Sequence, residues 1–492
     1  MDLDADLCYS ALSARDARFD GKFFVGVTST GIYCRPVCPA RLPARRNCQF
    51  YASAAAAEVD GFRPCLRCRP ELAPGRAPVD ASTRLARTAR ARIESGALDD
   101  APLASLATEL SVSERQIRRA VKREYGASPI ELAQTHRLLS AKRLLTESNL
   151  TVTQVAFSSG FSSVRRFNAL FRDRYRMSPS DVRRNSRTSE AAEGVLRITL
   201  AFRPPLDWDA MLGFLSARAI RGVETIADSC YSRTVRLGES VGWITAHPPD
   251  SVRNRLTVSV STGLAPELVR LVPLLRALFD LDAEPDAVSS HLSKGALAGA
   301  VGRRPGLRVP GSVDGFELAV RAVLGQQVSV AGASTLTARL VERFADPVPV
   351  DDEGFAVPGL TRYPVAASRL RTASIEEIAA IGIPAKRAEC LSALAAAATS
   401  GHIDLRPVSD AEEQRRRLLE LPGIGPWTAD YIAMRALHWP DAFPAGDLGL
   451  RKAAERLALN RSLTAEAEAW RPWRSYAAMH MWQSLHDNTG GP

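Results

Sequence analysis

The chain has 492 residues, of which 46% are hydrophobic and 24% charged, and a formal net charge of +10. This globular balance excludes a fibrous or wholly disordered protein, and the length predicts three or four domains. No window approaches 18 uncharged apolar residues, so we expect no membrane span. The first ten residues, MDLDADLCYS, are acidic where a secretory signal is basic. We therefore expect a cytoplasmic protein with reduced cysteines.

The charge is unevenly distributed along the chain. Residues 1–187 carry 31 Lys and Arg against 19 Asp and Glu, whereas the remaining 305 residues carry 33 against 35. A basic front half indicates a polyanionic partner, most simply nucleic acid. The nearly neutral back half requires another explanation.

Composition and periodicity divide the chain into four segments and a linker. Residues 1–75 hold six of the eight cysteines, and residues 80–184 are Arg-rich with a helical pattern. The linker, 185–194, reads NSRTSEAAEG and has no apolar residue larger than alanine. In 195–300, VLRITLA and RLTVSVS alternate as half-buried strands do, between helical runs, which predicts an α+β domain. From 301 to 492 the pattern is helical.

Four cysteines of the first segment form two close pairs, Cys34 with Cys38 and Cys65 with Cys68, separated by 26 residues. This is the ligand spacing of a tetrahedral four-cysteine zinc site, because two short loops can bring four thiolates to one ion. An inert structural zinc is the commonest form of such a site, and so small a segment has little core without one. We interpret Cys48, between the pairs, as a packing residue.

The stretches GIYCRPVCPAR and FRPCLRCRPE, with RDARFDGKFFVGV before them, resemble the N-terminal domain of the Ada DNA-repair and response proteins. The resemblance implies that Cys34 is both a zinc ligand and the nucleophile that irreversibly accepts a methyl group from a methylated DNA phosphate. Cys38, Cys65 and Cys68 would be the other ligands. A metal-bound thiolate stays deprotonated and nucleophilic at neutral pH. Because methylation removes one negative charge beside the DNA, we expect it to raise DNA affinity.

Two stretches of the second segment predict helix-turn-helix units. In LASLATELSVSERQIRRAVKREYG, Ser111 and Val112 form the turn and Ser113 caps the second helix. In TVTQVAFSSGFSSVRRFNALFRDRYRMSP, Gly160 supplies the turn and Ser162 or Ser163 the cap. A long helix over roughly 129–147 would join the two units.

The second helix of each unit carries side chains suited to base edges in the major groove and to phosphates. These candidate DNA-binding residues are Arg115, Arg118, Arg119, Arg165, Arg166 and Asn168. A solvated basic face on an amphipathic helix pair could mimic one such unit. Two copies with similar aromatic and Ser-Pro endings favour the functional interpretation. The segment resembles the AraC-type DNA-binding domain, which follows the zinc domain in Ada-like proteins.

The sequence LLELPGIGPWTADYIAMRAL, at 418–437, places Leu-Pro-Gly-Ile-Gly between two helical runs and predicts a helix-hairpin-helix. Gly423 and Gly425 allow a tight turn and close approach to DNA, and we expect these two glycines and Thr428 to contact it. Free amides at that helix N-terminus can hold a phosphate, and the hairpin carbonyls would suit a monovalent cation. An ordinary helix-joining turn is the alternative for a lone Gly-x-Gly.

Together with DAFPAGDLGLRKA, LRVPGSVDGFELAVRAVLGQQVSVAGA and WRPWRSYAAMHMW, the hairpin region resembles the helix-hairpin-helix DNA glycosylases of the AlkA type. The resemblance includes residues 195–300. It implies that Asp447 is the catalytic carboxylate, stabilising the sugar oxocarbenium ion and assisting water attack. Trp427, Tyr431 and Trp482 would form an aromatic cleft for the flipped, cationic base. Without the resemblance, core packing would be the preferred explanation for these rings. We assign Asp441 to a cap or a loop.

Several departures from family patterns narrow the expected chemistry. The lysine that strand-cleaving members place before Thr-Ala is Trp427 here, so we expect a monofunctional enzyme. AlkA-like enzymes insert a leucine after Gly-Gln into the gap left by the flipped base, and Gln327 stands there, so the wedge is this glutamine or another residue. No cysteine follows Cys390, which excludes the superfamily's iron–sulfur cluster, and the Pro-Cys-His-Arg motif of guanine-repair methyltransferases is absent.

We therefore expect a multidomain, mainly α protein. Its parts would be a small four-cysteine zinc domain, two helix-turn-helix units, an α+β domain and an all-α helix-hairpin-helix glycosylase domain. The combined function would be alkylation sensing with transcriptional activation, and excision of alkylated purines such as 3-methyladenine. The expected partners are one Zn²⁺, duplex DNA and RNA polymerase, on the bacterial nucleoid. A DNA-binding protein with an inactive catalytic half is the alternative.

Overall fold

The computed structural model describes residues 4–15, 19, 21, 23–36, 38, 40–68, 70, 81–94, 96–99, 101–148, 150–184, 195–349, 357–407, 410–459 and 462–485. The linker predicted at 185–194 lies outside these residues. The chain divides into two units, Met1–Ala191 and Ala192–Pro492.

The cysteine-rich segment folds around a small four-stranded sheet. Its elements are α1 (Ala5–Ser13), β1 (Phe24–Val27), β2 (Ile32–Cys34), a 3₁₀ turn (Arg45–Asn47), β3 (Cys48–Tyr51), α2 (Ala54–Val59) and β4 (Arg63–Pro64). The strand order is β3-β1-β2-β4, and β2 pairs with β4 in parallel. Tyr33 is aligned with Pro64 in that pairing, so Cys34 and Cys65 follow at the same end of the sheet.

The second part of the first unit is helical. Its helices are α3 (Ala81–Glu94), α4 (Leu103–Glu109), α5 (Glu114–Tyr125), α6 (Pro129–Glu147), α7 (Val152–Ser158), α8 (Val164–Tyr175) and α9 (Pro179–Arg184). The predicted long helix is α6. Ser113 caps α5 through a capping box with Gln116, Ser163 caps α8, and Gly160 adopts a positive φ of 79° in its turn. The two predicted helix-turn-helix units, α4–α5 and α7–α8, are confirmed.

Apolar side chains orient both helix-turn-helix units and leave the basic faces of these units exposed to solvent. In the first helix-turn-helix unit, Leu106 packs with Ile117 and Val121. In the second helix-turn-helix unit, Phe167 meets Phe171 edge-on and packs against the tilted ring of Phe161. Burial of one face of α5 and α8 is the reason that their arginines point to solvent.

The second unit begins with the α+β domain. It contains β5 (Val195–Ala201), α10 (Trp208–Ser216), β6 (Glu224–Ala227), β7 (Cys230–Leu237), β8 (Ser240–Ala246), β9 (Arg255–Ser261), α11 (Leu268–Leu278), α12 (Pro285–Leu292) and α13 (Ala298–Arg303). The sheet is antiparallel in the order β5-β9-β8-β7-β6. The predicted strands are β5 and β9, and alternate residues of β5 are buried, as the period of two requires.

The rest of the second unit is helical over its described residues, with no named strand. Its helices are α14 (Gly315–Leu324), α15 (Val330–Phe344), α16 (Ala367–Thr372), α17 (Ile375–Ala379), α18 (Ala385–Thr399), α19 (Ala411–Leu419), α20 (Pro426–Arg435), α21 (Leu448–Arg456), α22 (Leu463–Ala469) and α23 (Arg474–Ser484). A shared core includes Val323, Leu391, Ile432 and Met481, from α14, α18, α20 and α23. Packing on this core fixes the hairpin between α19 and α20 and the start of α21.

The protein is therefore multidomain and mainly α-helical, as predicted. It has a small cysteine domain, two helix-turn-helix units, an α+β domain and an all-α helix-hairpin-helix domain. Among the described residues, no helix is both long and apolar enough to cross a membrane.

Candidate functional sites

The structure brings the four predicted cysteine ligands together at the end of the β2–β4 pair. The sulfur atoms of Cys34, Cys38, Cys65 and Cys68 all lie within 4.8 Å of one another. Four sulfurs around one zinc ion, each about 2.3 Å from it, are about 3.8 Å apart. The donor set and its spacing thus fit a tetrahedral Zn²⁺. Each of the four residues is only 7–8% exposed, which limits competing ligands.

The four sulfurs interact strongly with one another, and Cys48 is separate from them. Hydrogen bonds with the other three sulfurs raise the pKa of the Cys34 thiol well above its usual range, whereas the pKa of Cys38 is lowered to about 7, chiefly by its hydrogen bond with Cys34. A thiolate at Cys34 therefore depends on a bound cation. The amide nitrogen of Arg35 donates to Sγ of Cys68 at 3.4 Å, a neighbouring interaction that orients a ligand. Cys48 is buried beside the cluster, but its thiol donates to the carbonyl of Ala44 at 3.4 Å. We therefore retain Cys48 as a packing residue.

The basic faces of α5 and α8 carry the candidate DNA contacts. Arg115, Arg118 and Arg119 are exposed on α5, as are Arg165 and Arg166 on α8, and Asn168 is half-buried. Arg118 forms an ion pair with Glu114 of its own helix at 2.5 Å. DNA would have to compete with that pair, whose value at the surface is small.

Asp447 lies at the N-cap of α21 and is tied to two tryptophans. Its Oδ1 accepts hydrogen bonds from the amide of Leu450 at 3.0 Å and from Nε1 of Trp482 at 2.9 Å. Its Oδ2 accepts from Nε1 of Trp427 at 3.1 Å. The residue is half-buried, so the carboxylate is oriented by three donors and still reaches solvent. Asp441, in contrast, forms ion pairs with Arg471 and Arg474 in a loop.

The three predicted aromatic residues lie together beside this carboxylate. Trp427 and Tyr431 are stacked, with ring centroids 5.5 Å apart and planes inclined by 16°. Trp482 meets Tyr431 edge-on at 6.4 Å. A fourth ring, Phe214 of α10, lies 6.5 Å from Trp482 and was not predicted from the sequence. In the sequence, Phe214 is visible only as part of a helical run of the α+β domain. That run is far from the hairpin in the chain, so the sequence does not connect Phe214 with the other rings.

Buried arginines hold the ring of Tyr431. Arg435 donates to the hydroxyl of Tyr431 at 2.8 Å, and its guanidinium lies 4.7 Å from the centre of the Phe214 ring. Burial raises the pKa of Tyr431, but the charges of Arg435, Arg218 and Arg321 outweigh burial and lower it to about 8. These contacts fix the ring that stacks on Trp427.

The hairpin exposes its two glycines and buries the side chain of Thr428. Gly423 and Gly425 are exposed, and Gly423 has a φ of +81°, which glycine adopts without strain. Thr428 is only 2% exposed, and its Oγ1 accepts a hydrogen bond from Nε2 of Gln326 at 3.0 Å. Its side chain therefore faces the protein, so the DNA contact predicted for Thr428 would use its main-chain amide in the first turn of α20.

The loop that follows α14 carries the predicted wedge. Gln327 is exposed and has a φ of +58°, and it precedes the exposed Val328. Gln326 fixes the loop, because its Nε2 also donates to the carbonyl of Gly423 at 2.9 Å while its own carbonyl accepts from Arg387. The sequence did not identify this connection between the loop and the hairpin.

Comparisons with known proteins agree with this arrangement. Family models match the metal binding domain of Ada at residues 7–71 and a helix-turn-helix domain at 106–185. They also match the AlkA N-terminal domain at 197–314 and the HhH-GPD superfamily of base excision DNA repair proteins at 320–475.

Individual relatives cover either the whole chain or its second unit. A probable bifunctional transcriptional activator/DNA repair enzyme AlkA of Mycobacterium tuberculosis is 40% identical over 98% of this chain and 97% of its own length. DNA-3-methyladenine glycosylase 2 of Escherichia coli is 41% identical over 58% of this chain and 96% of its own. The solved 3-methyladenine DNA glycosylase of Archaeoglobus fulgidus, 22% identical with a TM-score of 0.50, covers 59% of this chain and 98% of its own and shares the fold. The chain therefore belongs to the family of bifunctional transcriptional activator/DNA repair enzymes that the mycobacterial protein represents.

Proposed function

We propose that this protein is an alkylation-damage response protein that combines a monofunctional DNA glycosylase with a methyl-sensing transcriptional activator. The observation that carries the first activity is the carboxylate of Asp447, oriented by the indole groups of Trp427 and Trp482 beside the ring of Tyr431. The observation that supports the sensing activity is the group of four sulfurs within 4.8 Å of one another. This group lies in the same half of the chain, Met1–Ala191, as the two helix-turn-helix motifs.

The glycosylase step depends on two charges, the positive charge of the alkylated purine and the negative charge of Asp447. A purine alkylated on a ring nitrogen is cationic, so stacked aromatic faces attract it once it is flipped from the duplex. The C1′–N bond breaks with its electron pair going to the base, which leaves neutral. The carboxylate of Asp447 stabilises the positive charge that develops on the sugar and accepts a proton from the attacking water. Trp427 stands where strand-cleaving members have a lysine, so there is no amine at this position to form a Schiff base. The product is therefore an abasic site.

The sensing step uses the cysteine cluster. Bound to the four sulfurs, Zn²⁺ would keep them deprotonated and nucleophilic at neutral pH. The sulfur of Cys34 attacks the methyl carbon of a DNA methylphosphotriester, the carbon–oxygen bond breaks, and the phosphodiester leaves with its negative charge restored. The cluster loses one negative charge in this step. Its repulsion of the DNA phosphates decreases, and the affinity of the protein for a promoter rises.

The finer assignments belong to the same proposal. The exposed arginines of α5 and α8 bind phosphates and base edges, and the amides and carbonyls of the hairpin bind a phosphate and a monovalent cation. A promoter-bound activator would recruit RNA polymerase. Since its substrate and its promoter are both chromosomal DNA, the protein would act in the bacterial cytoplasm on the nucleoid.

One experiment with the zinc-loaded full chain tests both activities. A duplex with one 3-methyladenine reports base release by chromatography, and a duplex with one methylphosphotriester reports transfer by intact-protein mass. We expect catalytic base release without strand cleavage, and a gain of one methyl group located at Cys34. Absence of base release would leave a DNA-binding regulator, and absence of the methyl adduct would remove the sensor.

A further inference from the structure

Helix α2 of the cysteine domain packs against the helix-turn-helix domain within the first unit. The hydroxyl of Ser53, which caps α2, also donates to the carbonyl of Tyr125 at the end of α5. A Cβ placed on Gly126 would lie 2.9 Å from Cβ of Ala56, so the backbones approach closely. The contact therefore involves the C-terminal end of a helix that carries candidate DNA-binding arginines.

Glu58 of α2 is the centre of this contact. Glu58 is only 2% exposed. The hydroxyl of Tyr33 donates to its Oε1 at 2.9 Å, and the hydroxyl of Thr135 on α6 donates to its Oε2 at 2.9 Å. Arg174 of α8 donates to its main-chain carbonyl at 2.9 Å. One residue thus connects the cysteine domain with the helix between the two helix-turn-helix units and with the second helix of the second unit.

The connection begins next to the methyl acceptor. Tyr33 precedes Cys34 on β2, and successive side chains of a strand point to opposite faces. Tyr33 is fully buried and bonded to Glu58, while Cys34 lies in the group of four sulfurs. Tyr33 and Glu58 therefore connect the strand that carries the acceptor with α6, in addition to the contacts that α2 makes with the end of α5.

The choice of an acid at this position is informative. Burial raises the pKa of Glu58 to about 7, although its two hydroxyl partners and the charges of Arg174 and Lys142 act in the opposite direction. A buried carboxyl group costs more free energy than an apolar side chain of similar size. In exchange, the carboxyl group of Glu58 makes two directed hydrogen bonds, one within the cysteine domain and one to α6. Directed hydrogen bonds fix the orientation of the two domains more narrowly than apolar packing does.

We propose that Glu58 is a positioning residue that clamps the zinc domain onto α6 and α8, so that Cys34 and both helix-turn-helix units meet DNA as one body. The proposal rests on the sensing function proposed above. When two DNA-binding parts are held in the right geometry, the second contact is intramolecular, and its strength adds to the first without a new ordering cost. Methylation of Cys34 then raises the affinity of the whole unit. Without the clamp, it raises the affinity of the zinc domain alone.

The test compares the affinity of the zinc-loaded full chain for DNA before and after methylation of Cys34. The probe is a duplex that the methylated parent protein selects from a random pool. Thr135→Val removes one hydroxyl from α6 and leaves the zinc domain unchanged, whereas Glu58→Ala removes both bonds. Glu58→Gln keeps the shape and both hydrogen bonds, because its carbonyl oxygen accepts from one hydroxyl and its amide nitrogen donates to the other. Asp6→Asn is the matched control, since it removes an exposed acid that pairs with Arg45 in the same domain.

We expect every variant to accept one methyl group per protein from methylphosphotriester DNA. The affinity gain on methylation should fall at least tenfold in Thr135→Val and Glu58→Ala, and stay at the parent value in Glu58→Gln and Asp6→Asn. If Glu58→Ala fails to bind zinc, Thr135→Val decides. A parental gain in Thr135→Val would overturn the clamp. A parent protein that shows no gain at all would instead contradict the sensing function, and the clamp with it.

Discussion

The indole nitrogen of Trp482 lies 2.9 Å from Oδ1 of Asp447, and the two residues are 35 positions apart in the chain. Trp427 donates to the other carboxylate oxygen at 3.1 Å. The rings proposed to stack on a damaged base therefore also orient the carboxylate proposed to act on its sugar. Recognition of the base and placement of the catalytic group are physically connected, which makes their separation by mutation informative.

Replacement of the carboxylate tests the chemistry directly. In Asp447→Asn the shape and the cap of α21 are kept, but the negative charge that stabilises the oxocarbenium ion is lost. We expect base release to fall by about 10²–10³-fold, while the affinity for an abasic-site duplex changes little. Single-turnover kinetics measure the first quantity and fluorescence anisotropy the second. Asp441→Asn, which alters a carboxylate bound to Arg474, should keep the parental rate.

The indole hydrogen bond can be separated from ring stacking at Trp482. Trp482→Phe keeps an aromatic face and removes the donor to Asp447. A hydrogen bond to a charged group contributes about 1.5–3 kcal/mol, so we expect the single-turnover rate to fall by about 10–100-fold. Trp473→Phe is the control, because Trp473 packs edge-on against Tyr476. An unchanged rate in Trp482→Phe would show that the carboxylate does not depend on this donor.

The zinc site predicts different results for neighbouring cysteines. Cys38→Ser removes one sulfur of the group of four, so we expect loss of the bound metal and unfolding of the small domain around it. Cys48→Ser alters a buried cysteine that donates to Ala44 and should retain one zinc per chain. Metal analysis of the purified variants distinguishes them. Equal zinc content in both would contradict the ligand assignment.

The buried carboxyl group of Glu58 predicts a dependence of stability on pH. Its pKa is raised to about 7 in the folded protein from an ordinary value of 4.5, chiefly by burial. Between those values the folded state binds more protons than the unfolded state, so stability falls as pH rises from 4.5 to 7. The full loss is about 3 kcal/mol.

Glu58→Gln imitates the protonated form and should lose this dependence. We expect the melting temperature of the first unit in Glu58→Gln to equal that of the parent near pH 5 and to exceed it near pH 7.5. Thermal unfolding followed over this range measures the difference. A constant difference between the two proteins at all pH values would show that Glu58 does not titrate in this window.

Gln326 predicts a link between the wedge loop and the hairpin. Its side-chain amide donates to the carbonyl of Gly423 and to Thr428, and Gln326→Ala removes both bonds. We expect weaker binding of a damaged duplex and slower base release, by about tenfold each, because the loop carrying Gln327 is no longer held against the hairpin.

Gln327→Ala should slow base release on duplex DNA but not on a single strand, where no gap has to be filled. Equal losses on both substrates would exclude the wedge.

The sequence alone indicated much of the local structure and chemistry. Hydrophobic periodicity predicted α6, β5 and β9, and the Ser113 and Gly160 signals located the turns of both helix-turn-helix units. These elements are predictable because caps, turns and apolar periodicity depend on residues a few positions apart. The spacing of the four cysteines predicted their group in the same way. The resemblance to known families suggested Asp447 and the three aromatic residues.

Contacts between distant parts of the chain were decided by the tertiary structure. Phe214 reaches the ring of Trp482 from the α+β domain, Gln326 bonds to the hairpin about a hundred positions further on, and Glu58 meets Thr135 across a domain boundary. A side chain's neighbours across the core depend on how whole helices and sheets pack, and a one-dimensional pattern of apolar and polar residues does not specify that packing.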